Sequence, residues 1–170
     1  MNRQGYVALE GSHRDAPEAP RIADAPEDEV IQVTVYLRGN SEELERHLAQ
    51  QASQAPSERQ YLTRNEFAER FGARPDDIAA VRRFAANYGL RVVSVHPERR
   101  TVELSGTVAA MSKAFGVDIG LYRSPTGTFR GRSGSIHVPS DLAPMIVAVL
   151  GLDTRPAAGP HFESDPPPFR

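Results

Sequence analysis

Apolar and polar positions alternate with a period of two in EVIQVTVYL, residues 29–37. The odd-numbered positions from Ile31 to Leu37 are apolar, and the even-numbered positions between them are polar or amphipathic. Successive side chains of a strand point to opposite faces, so this alternation is typical of a half-buried strand. We therefore predict a strand whose apolar face meets a core and whose other face is polar or faces a partner.

Three helical segments come after this strand. Ser41 precedes EELERHLAQQA, whose leucines lie four residues apart, which predicts an amphipathic helix. Thr63 and Glu66 fit a capping box that opens a short helix in TRNEFAERFG. A further helix is predicted from Pro75, which suits a first helical turn, to Gly89, which ends the apolar stripe.

The second half of the chain alternates strand and helix signals. LRVVSVH and TVELSG flank the turn PERR and predict a hairpin. Thr107 caps the helix VAAMSKAF, and VDIGLYR and TFRGR predict two strands around the turn SPTG. Finally, Ser140 or Asp141 opens LAPMIVAVLGL, which we interpret as a short apolar helix ended by Gly151.

The order of these elements indicates the fold class. A strand, helices, a hairpin, a helix and a strand, and then a hairpin extension and a last helix, predict an α+β fold. We expect a ferredoxin-like antiparallel sheet with helices on one face. The other face of such a sheet stays uncovered, so it is open to water or to a partner.

Both ends of the chain differ in composition from the middle. Residues 1–28 mix prolines and acidic residues without periodicity, which predicts a disordered, flexible N-terminal tail. The ferredoxin-like domain is then expected over residues 29–153. RPAAGPHFESDPPPFR, residues 155–170, has five prolines and favours an extended backbone, so residues 154–170 are predicted to be a Pro-rich linker. Such a linker is either a spacer or a segment held by a partner.

Composition excludes several classes of function. The 20 basic and 22 acidic residues leave a net charge of −2, which gives no general attraction to nucleic acid or anionic membranes. The chain has no cysteine, so it has no disulfide, thiol nucleophile or cysteine-ligated zinc. No apolar run approaches the roughly 18 residues of a membrane span, and MNRQGYVALEGSHRD lacks the pattern of a signal peptide.

Candidate catalytic motifs fail on their context. Ser105-Gly106-Thr107 joins a strand to a helix and is better explained as a turn and cap. The segment GRSGS, residues 131–135, has Ser135 where a nucleophile elbow requires glycine. The five histidines lie in separate elements, and the acidic pairs at 42–43 and 76–77 suit the first turns of helices. No enzyme site is predicted.

Arginines at positions 82–83, 99–100, 130 and 132 suggest a basic surface for RNA. The strands lack the basic, glycine and aromatic pattern on which bases stack, so solvated or partner-pairing arginines are favoured. The residues alone indicate a binding or folding module. One hypothesis is therefore a stand-alone ferredoxin-like module that binds protein or RNA.

Several separated motifs agree with one known family and favour a different hypothesis. YLTRNEFAERFG, SGTVAAMSKAFGV, the VP before the last predicted helix, and AVLGLDTRP occur in that order. Together with IQVTVYLRGNSEELERHLAQQA they resemble the propeptide, or pro-kumamolisin activation domain, of the sedolisin or kumamolisin family of serine-carboxyl peptidases. The resemblance covers roughly residues 29 to 162, and the N-terminal tail and extreme C-terminus depart from it.

The resemblance implies a specific role. Prodomains of this family pack their sheet on the peptidase domain, assist its folding, and block its active site until acid-triggered autoprocessing. The implied partner is a cognate sedolisin peptidase domain in cis, with no nucleic acid or membrane, and the implied location is extracellular after export. The catalytic residues and the calcium site of the family lie in that peptidase domain, so we assign no catalytic residue, metal or cofactor to this chain.

The resemblance also implies which residues meet the peptidase. The linker is expected to run through the active-site cleft, where the cleft-binding residues would be Arg155, Pro156, Pro160, His161 and Phe162. The candidates for ion pairs across the domain interface, by their position on exposed strands or turns, are Arg99, Arg100, Arg130 and Arg132. As the pH falls, the 22 acidic residues lose charge and the five histidines gain it, which is expected to weaken such an interface.

Overall fold

The computed structural model describes residues 5–39, 41–59 and 61–156. In chain order its strands and helices are β1 (Tyr6–Ala8), β2 (Arg21–Asp24), β3 (Val30–Leu37), α1 (Ser41–Ala52), α2 (Arg64–Phe71), α3 (Pro75–Asn87), β4 (Arg91–His96), β5 (Thr101–Thr107), α4 (Val108–Phe115), β6 (Ile119–Ser124), β7 (Gly127–Arg132), β8 (His137–Pro139) and β9 (Ile146–Leu150). Short 3₁₀ turns lie at Pro56–Glu58 and Pro97–Arg99. None of these described helices has the length and apolar character needed to cross a membrane.

The main sheet has four strands in the order β4-β5-β3-β9, and each neighbouring pair is antiparallel. Its strands and helices follow one another as β3, three helices, β4, β5, α4 and β9, which is the strand and helix succession of a ferredoxin-like fold. The predicted α+β class is therefore confirmed. Between α4 and β9 the chain inserts β6 and β7, which form a second sheet in the order β2-β6-β7, and β8, which pairs with β1.

The core lies between the main sheet and the helices α3 and α4. The apolar positions of β3, exemplified by Val35, are buried together with Val102 and Leu104 of β5. Phe84 of α3 and Phe115 of α4 pack on this side with their ring centroids 5.5 Å apart. Burying one such side chain stabilises a fold by about 1.5–3 kcal/mol, so this layer fixes which face of the sheet points inward.

Several predicted helix ends are confirmed. The Thr63 side chain accepts the N–H of Glu66, and the Glu66 carboxylate accepts the N–H of Thr63 at 2.8 Å, which is a complete capping box. The hydrogen bonds from Thr63 lower the pKa of Glu66 below its ordinary value. Thr107 caps α4 by accepting the N–H of Ala110 at 3.2 Å. These ends depend on residues three apart, so sequence could identify them.

The predicted last helix is wrong. Residues 146–150 form β9, the strand that pairs with β3, with Val149 opposite Val35. Two helix-like hydrogen bonds precede it, from Ala143 N–H to the oxygen of Pro139 at 3.0 Å and from Ile146 N–H to the oxygen of Leu142 at 3.2 Å. A short apolar run suits either a buried helix or a strand. The strand is favoured here because β5 pairs with only one edge of β3. The backbone groups on the other edge need hydrogen-bond partners, and β9 supplies them.

The predicted flexible tail over residues 1–28 is also wrong for the residues that the structure describes. β1 pairs with β8 and β2 pairs with β6, both antiparallel. Leu9 is 4% exposed and belongs to the core. Pro17 lies against Gly131, where a Cβ atom would come within 2.8 Å of its ring. The partners of these residues lie about a hundred residues away in sequence, so no local pattern announces the pairing.

Leu9→Ala tests whether the N-terminal segment is part of the domain. Removing a buried leucine side chain costs about 2–5 kcal/mol in the free energy of unfolding, because it loses contacts and leaves a cavity. Urea denaturation should show this loss. The matched control is Leu48→Ala in α1, whose leucine is 57% exposed and should change the free energy by less than about 0.5 kcal/mol. Equal, small effects of both substitutions would contradict the described packing.

Asp118→Asn tests the ion pair that joins β2 to the residue before β6 in the second sheet. Arg21 donates to both carboxylate oxygens of Asp118, at 2.6 and 2.9 Å, and these hydrogen bonds hold the pKa of Asp118 below its usual value. A carboxylate whose pKa is lower in the folded than in the unfolded chain stabilises the fold at pH values above its unfolded pKa of about 3.9. This stabilisation is lost as the pH falls through the pKa of the folded chain.

Because the Asp118 side chain is 71% exposed, we expect the substitution to cost at most about 1 kcal/mol at pH 7. The cost should shrink as the pH of the urea titrations is lowered from 7 towards 2. Asp141→Asn, at an exposed turn, is the control and should change the free energy of unfolding by less than about 0.5 kcal/mol. A cost that persists unchanged at pH 2 would contradict the ion pair.

Candidate functional site: the open sheet face and the start of the linker

One face of the main sheet is not covered by the helices. Residues directly opposite each other in an antiparallel ladder share a face. Tyr36 of β3 lies opposite Thr101 of β5 and Ala148 of β9, and Thr34 lies opposite Leu150. These positions alternate with the buried ones of β3. We call this side the open face: its residues include Gln32, Thr34, Tyr36, Ser94, His96, Thr101, Glu103, Ala148 and Leu150.

The open face and its edge strands carry exposed apolar side chains. Tyr36 is 38% exposed and Leu150 is 50% exposed. Val93 and Val147 lie at the register shifts in the edge strands β4 and β9, and they are 42% and 49% exposed. Scattered exposed apolar residues need no explanation, but a group on one sheet indicates an interaction surface.

A cleft adjoins this face along β9. It has a volume of about 330 Å³ and lies between residues 147–153 and residues 11–14 of the N-terminal segment. At the end of β9, Gly151 adopts φ +102°, and a Cβ atom there would lie 2.6 Å from the backbone oxygen of Gln32. Glycine is therefore needed where the chain leaves the sheet.

The beginning of the predicted linker is bound to β7. The N–H of Thr154 donates to the oxygen of Arg130 at 2.9 Å, and its side-chain oxygen accepts the N–H of Arg130 at 3.0 Å. The Asp153 carboxylate accepts the N–H of Arg132 at 3.3 Å and that of Arg155 at 2.8 Å. Residues 153–155 thus run along the outer edge of β7 and belong to the folded domain.

Two guanidinium groups contact the Asp153 carboxylate, and Asp153 has a side chain that is 5% exposed. Arg14 and Arg155 approach its Oδ2 atom to 3.6 and 3.3 Å. Arg132 is itself buried and donates to the backbone oxygens of Gly134 and Ser12 at 2.7 and 2.9 Å. Burial lowers the pKa of Arg132 below its ordinary value, and the charge of Arg14 acts in the same direction.

The structure separates the four arginines predicted at the interface. Arg99 and Arg100 are exposed at the turn between β4 and β5, where Arg100 has φ 57°. Arg130 is largely buried and pairs with Glu29. Arg132 does not fit the prediction, because its guanidinium is buried and bonded within the chain. A buried charge with internal partners is not available to pair with another domain.

The predicted cleft-binding residues fall into two groups. Arg155 and Pro156 line a shallow cavity of about 490 Å³ together with residues 15–19, near the β6–β7 hairpin. Pro160, His161 and Phe162 lie outside the described residues. Sequence reasoning missed Asp153 and Arg14. Asp153 was visible in the motif LGLDTRP, but Arg14 has no local signal because its partner is distant in sequence.

The described residues hold no strong catalytic or metal site. They contain no group of three histidine, aspartate or glutamate side chains placed to bind a metal. Ser135 Oγ lies 3.5 Å from Nδ1 of His13, whose Nε2 lies 3.6 Å from Asp15. These distances exceed those of an activated nucleophile, and the His13 and Asp15 side chains are 69% and 99% exposed. We interpret this contact as a surface contact.

Comparison with known proteins agrees with the motif resemblance. Residues 17–155 match the family described as Pro-kumamolisin, activation domain. The chain is 43% identical to kumamolisin of Bacillus sp. (strain MN-32) over 89% of its own length and 28% of that protein. It is 29% identical to tripeptidyl-peptidase sed5 of Aspergillus fumigatus over 94% of its length and 30% of that protein.

A shorter match covers 54% of the chain and 11% of xanthomonalisin from Xanthomonas sp. (strain T-22), at 29% identity. The chain therefore spans less than a third of the length of these curated relatives. Because the family match includes the main sheet, the helices and the start of the linker, this chain belongs to the pro-kumamolisin activation domain family.

Proposed function

We propose that this chain is the activation propeptide of a sedolisin-type serine-carboxyl peptidase and that it assists folding of the peptidase domain and blocks its active site. The observation that carries this proposal is the open face, with Tyr36 and Leu150 exposed on a sheet whose other side forms the core. A standard interface buries about 1,600 Å² in total, which such a face and its rim can supply.

The linker is proposed to act as the blocking segment. Its start is held by hydrogen bonds along β7 as far as Arg155, only a few residues after Leu150 of the open face. Beyond Pro156 there are 14 residues, which would reach on the order of 40 Å if extended at about 3.1 Å per residue. That length is enough to cross a peptidase cleft, and Pro160, His161 and Phe162 are the residues proposed to lie in it.

In this proposal the chain itself is not catalytic. The peptidase domain follows it in cis and supplies the catalytic residues and any calcium site, so the propeptide needs no cofactor. Tethering raises the effective concentration of the inhibitor, so a modest intrinsic affinity keeps the peptidase inactive. The precursor is proposed to be exported and to act outside the cell, without a nucleic acid or membrane partner.

The first test is the reading frame beyond Arg170. A peptidase domain with a Ser-Gly-Thr-Ser motif should follow it. A stop codon there would contradict the proposal that the peptidase domain lies in the same polypeptide.

The second test is inhibition in trans, for which that peptidase domain is expressed separately. We expect the 170-residue chain to inhibit it in trans near neutral pH, measured as loss of peptide hydrolysis. No binding at micromolar concentration, or tight binding of the chain to single-stranded RNA instead, would contradict the proposed role.

Leu150→Glu tests whether the open face is the docking surface. A carboxylate at this position would be desolvated on binding, so we expect the inhibition constant to rise by at least about tenfold. Leu48→Glu on α1 is the matched control, because Leu48 is similarly exposed, at 57% against 50%, but lies in the helix layer. Equal inhibition by both variants would place the interface elsewhere.

Acid release is the remaining part of the proposal. The chain has 22 acidic residues and five histidines, so its net charge becomes strongly positive as carboxylates are protonated and histidines gain protons. We expect the affinity for the peptidase domain to fall between pH 7 and pH 4, measured by calorimetry with an active-site serine variant. An affinity that does not change over this range would exclude an electrostatic trigger.

A further inference from the structure

The N-terminal segment and the start of the linker meet in the structure. Arg14 contacts the Asp153 carboxylate, and Arg155 donates to the backbone oxygen of Asp15 at 3.2 Å. Ser12 accepts from Arg132, which also donates its N–H to Asp153. Composition predicts that residues 1–28 and 154–170 lie outside the domain, yet Arg14 and Arg155 both contact the buried carboxylate of Asp153.

The cluster is built around one acceptor. Asp153 is the carboxylate that accepts from two backbone N–H groups and lies beside the guanidinium groups of Arg14 and Arg155. Its side chain is 5% exposed, and the loss of its charge would remove a negative charge that acts on the buried guanidinium of Arg132. Such a cluster favours one position of the backbone, because moving residues 153–155 would leave several donors and acceptors without hydrogen-bond partners.

Its position relates it to the open face. Leu150 is an exposed residue at the end of β9, and Asp153 lies three residues later. The chain bends at Gly151, so these three residues span at most about 10 Å, and a partner docked on the open face meets the beginning of the linker close to Leu150. Ala16 and Pro17 line the shallow cavity that also contains Arg155 and Pro156, and Pro17 packs against Gly131 of β7.

We propose that residues 12–17 and Asp153 form a clamp that fixes where the linker leaves the domain and thereby sets which linker residues enter the peptidase cleft. This inference rests on the proposed function. Arg14 and Asp153 are positioning residues in it, since they act through the placement of the linker. Most of the N-terminal part of the clamp precedes residue 17, where the family match begins.

The clamp has a mechanical consequence. If residues 153–155 were released from β7, the free linker would become longer by about 10 Å. A longer tether lowers the effective concentration of the blocking segment and lets it slide relative to the catalytic residues. Release should therefore spread the first cleavage over several bonds of the linker, whereas a closed clamp directs cleavage to one bond.

The first experiment uses the 170-residue chain alone. Amide hydrogen exchange of Arg155 should accelerate roughly tenfold or more in Asp153→Ala, because its N–H donates to that buried carboxylate and would lose the hydrogen bond. Arg14→Ala should accelerate it about two- to fivefold, and Arg14→Lys should restore most of the protection. The control is Arg64→Ala, an exposed arginine at the start of α2. Unchanged exchange in both clamp variants would overturn the clamp.

The second experiment uses the precursor that includes the peptidase domain. The first cleavage, located by mass spectrometry after acidification, should occur at one bond in the wild type and the Arg64→Ala control. It should be distributed over several bonds in Arg14→Ala and Asp153→Ala. A purely structural role would lower the melting temperature without moving the cleavage site, and that result would overturn the positioning role.

These two experiments separate the inference from the proposed function. If the wild-type chain neither binds nor inhibits the peptidase domain, the proposed function fails, while the exchange data still decide whether the clamp exists. If inhibition is normal and exchange is unaffected by Arg14→Ala and Asp153→Ala, the clamp alone is wrong.

Discussion

Burial of one side of β3 is the constraint on which the rest of the structure depends. Ile31, Val33 and Val35 are 3%, 2% and 1% exposed, and each contributes about 1.5–3 kcal/mol. An exposed ion pair such as Arg21 with Asp118 contributes at most about 1 kcal/mol. The apolar side of this strand therefore sets the register of its two neighbours, β5 and β9. Surface ion pairs are too weak to change that register.

The same constraint determines the surface through which the domain is proposed to act. Side chains of a strand alternate with a period of two, so a slip of one residue would expose the core and bury the polar side. Tyr36 is kept outward because its neighbours in β3 are kept inward. The exposed Leu150 is a result of its pairing with Thr34. The fold and the open face are thus two consequences of one strand.

Polar contacts, rather than apolar burial, join Arg14 to residues 153–155. Around Asp153 the contacts are charged and directional, and burying them costs desolvation that only good geometry offsets. Such a cluster adds little net stability compared with the core. Its effect is positional, since it holds Thr154 and Arg155 along β7 while the apolar layer holds the sheet. The inhibitory role proposed for this chain would depend on both properties.

Local patterns in the sequence were sufficient for much of this protein. The alternation in β3, the capping box of Thr63 and Glu66, and the cap at Thr107 depend on residues a few positions apart, and the structure confirms them. The uncovered sheet face could be expected from the order of the elements. Arg155 could be placed at the start of the linker, but its contacts with Asp153 and Asp15 could not be foreseen.

Contacts between distant residues lay beyond the reach of these patterns. Residues 146–150 became a strand because β3 had a free edge, and residues 6–24 became ordered because β8 and β6 accepted them as partners. Arg132 was predicted to lie on the surface but is buried. Its guanidinium donates to the carbonyl of the nearby Gly134 and to that of Ser12, which is distant in sequence. Periodicity and composition describe one segment at a time, whereas edge pairing and buried charge depend on which segments the folded chain brings together.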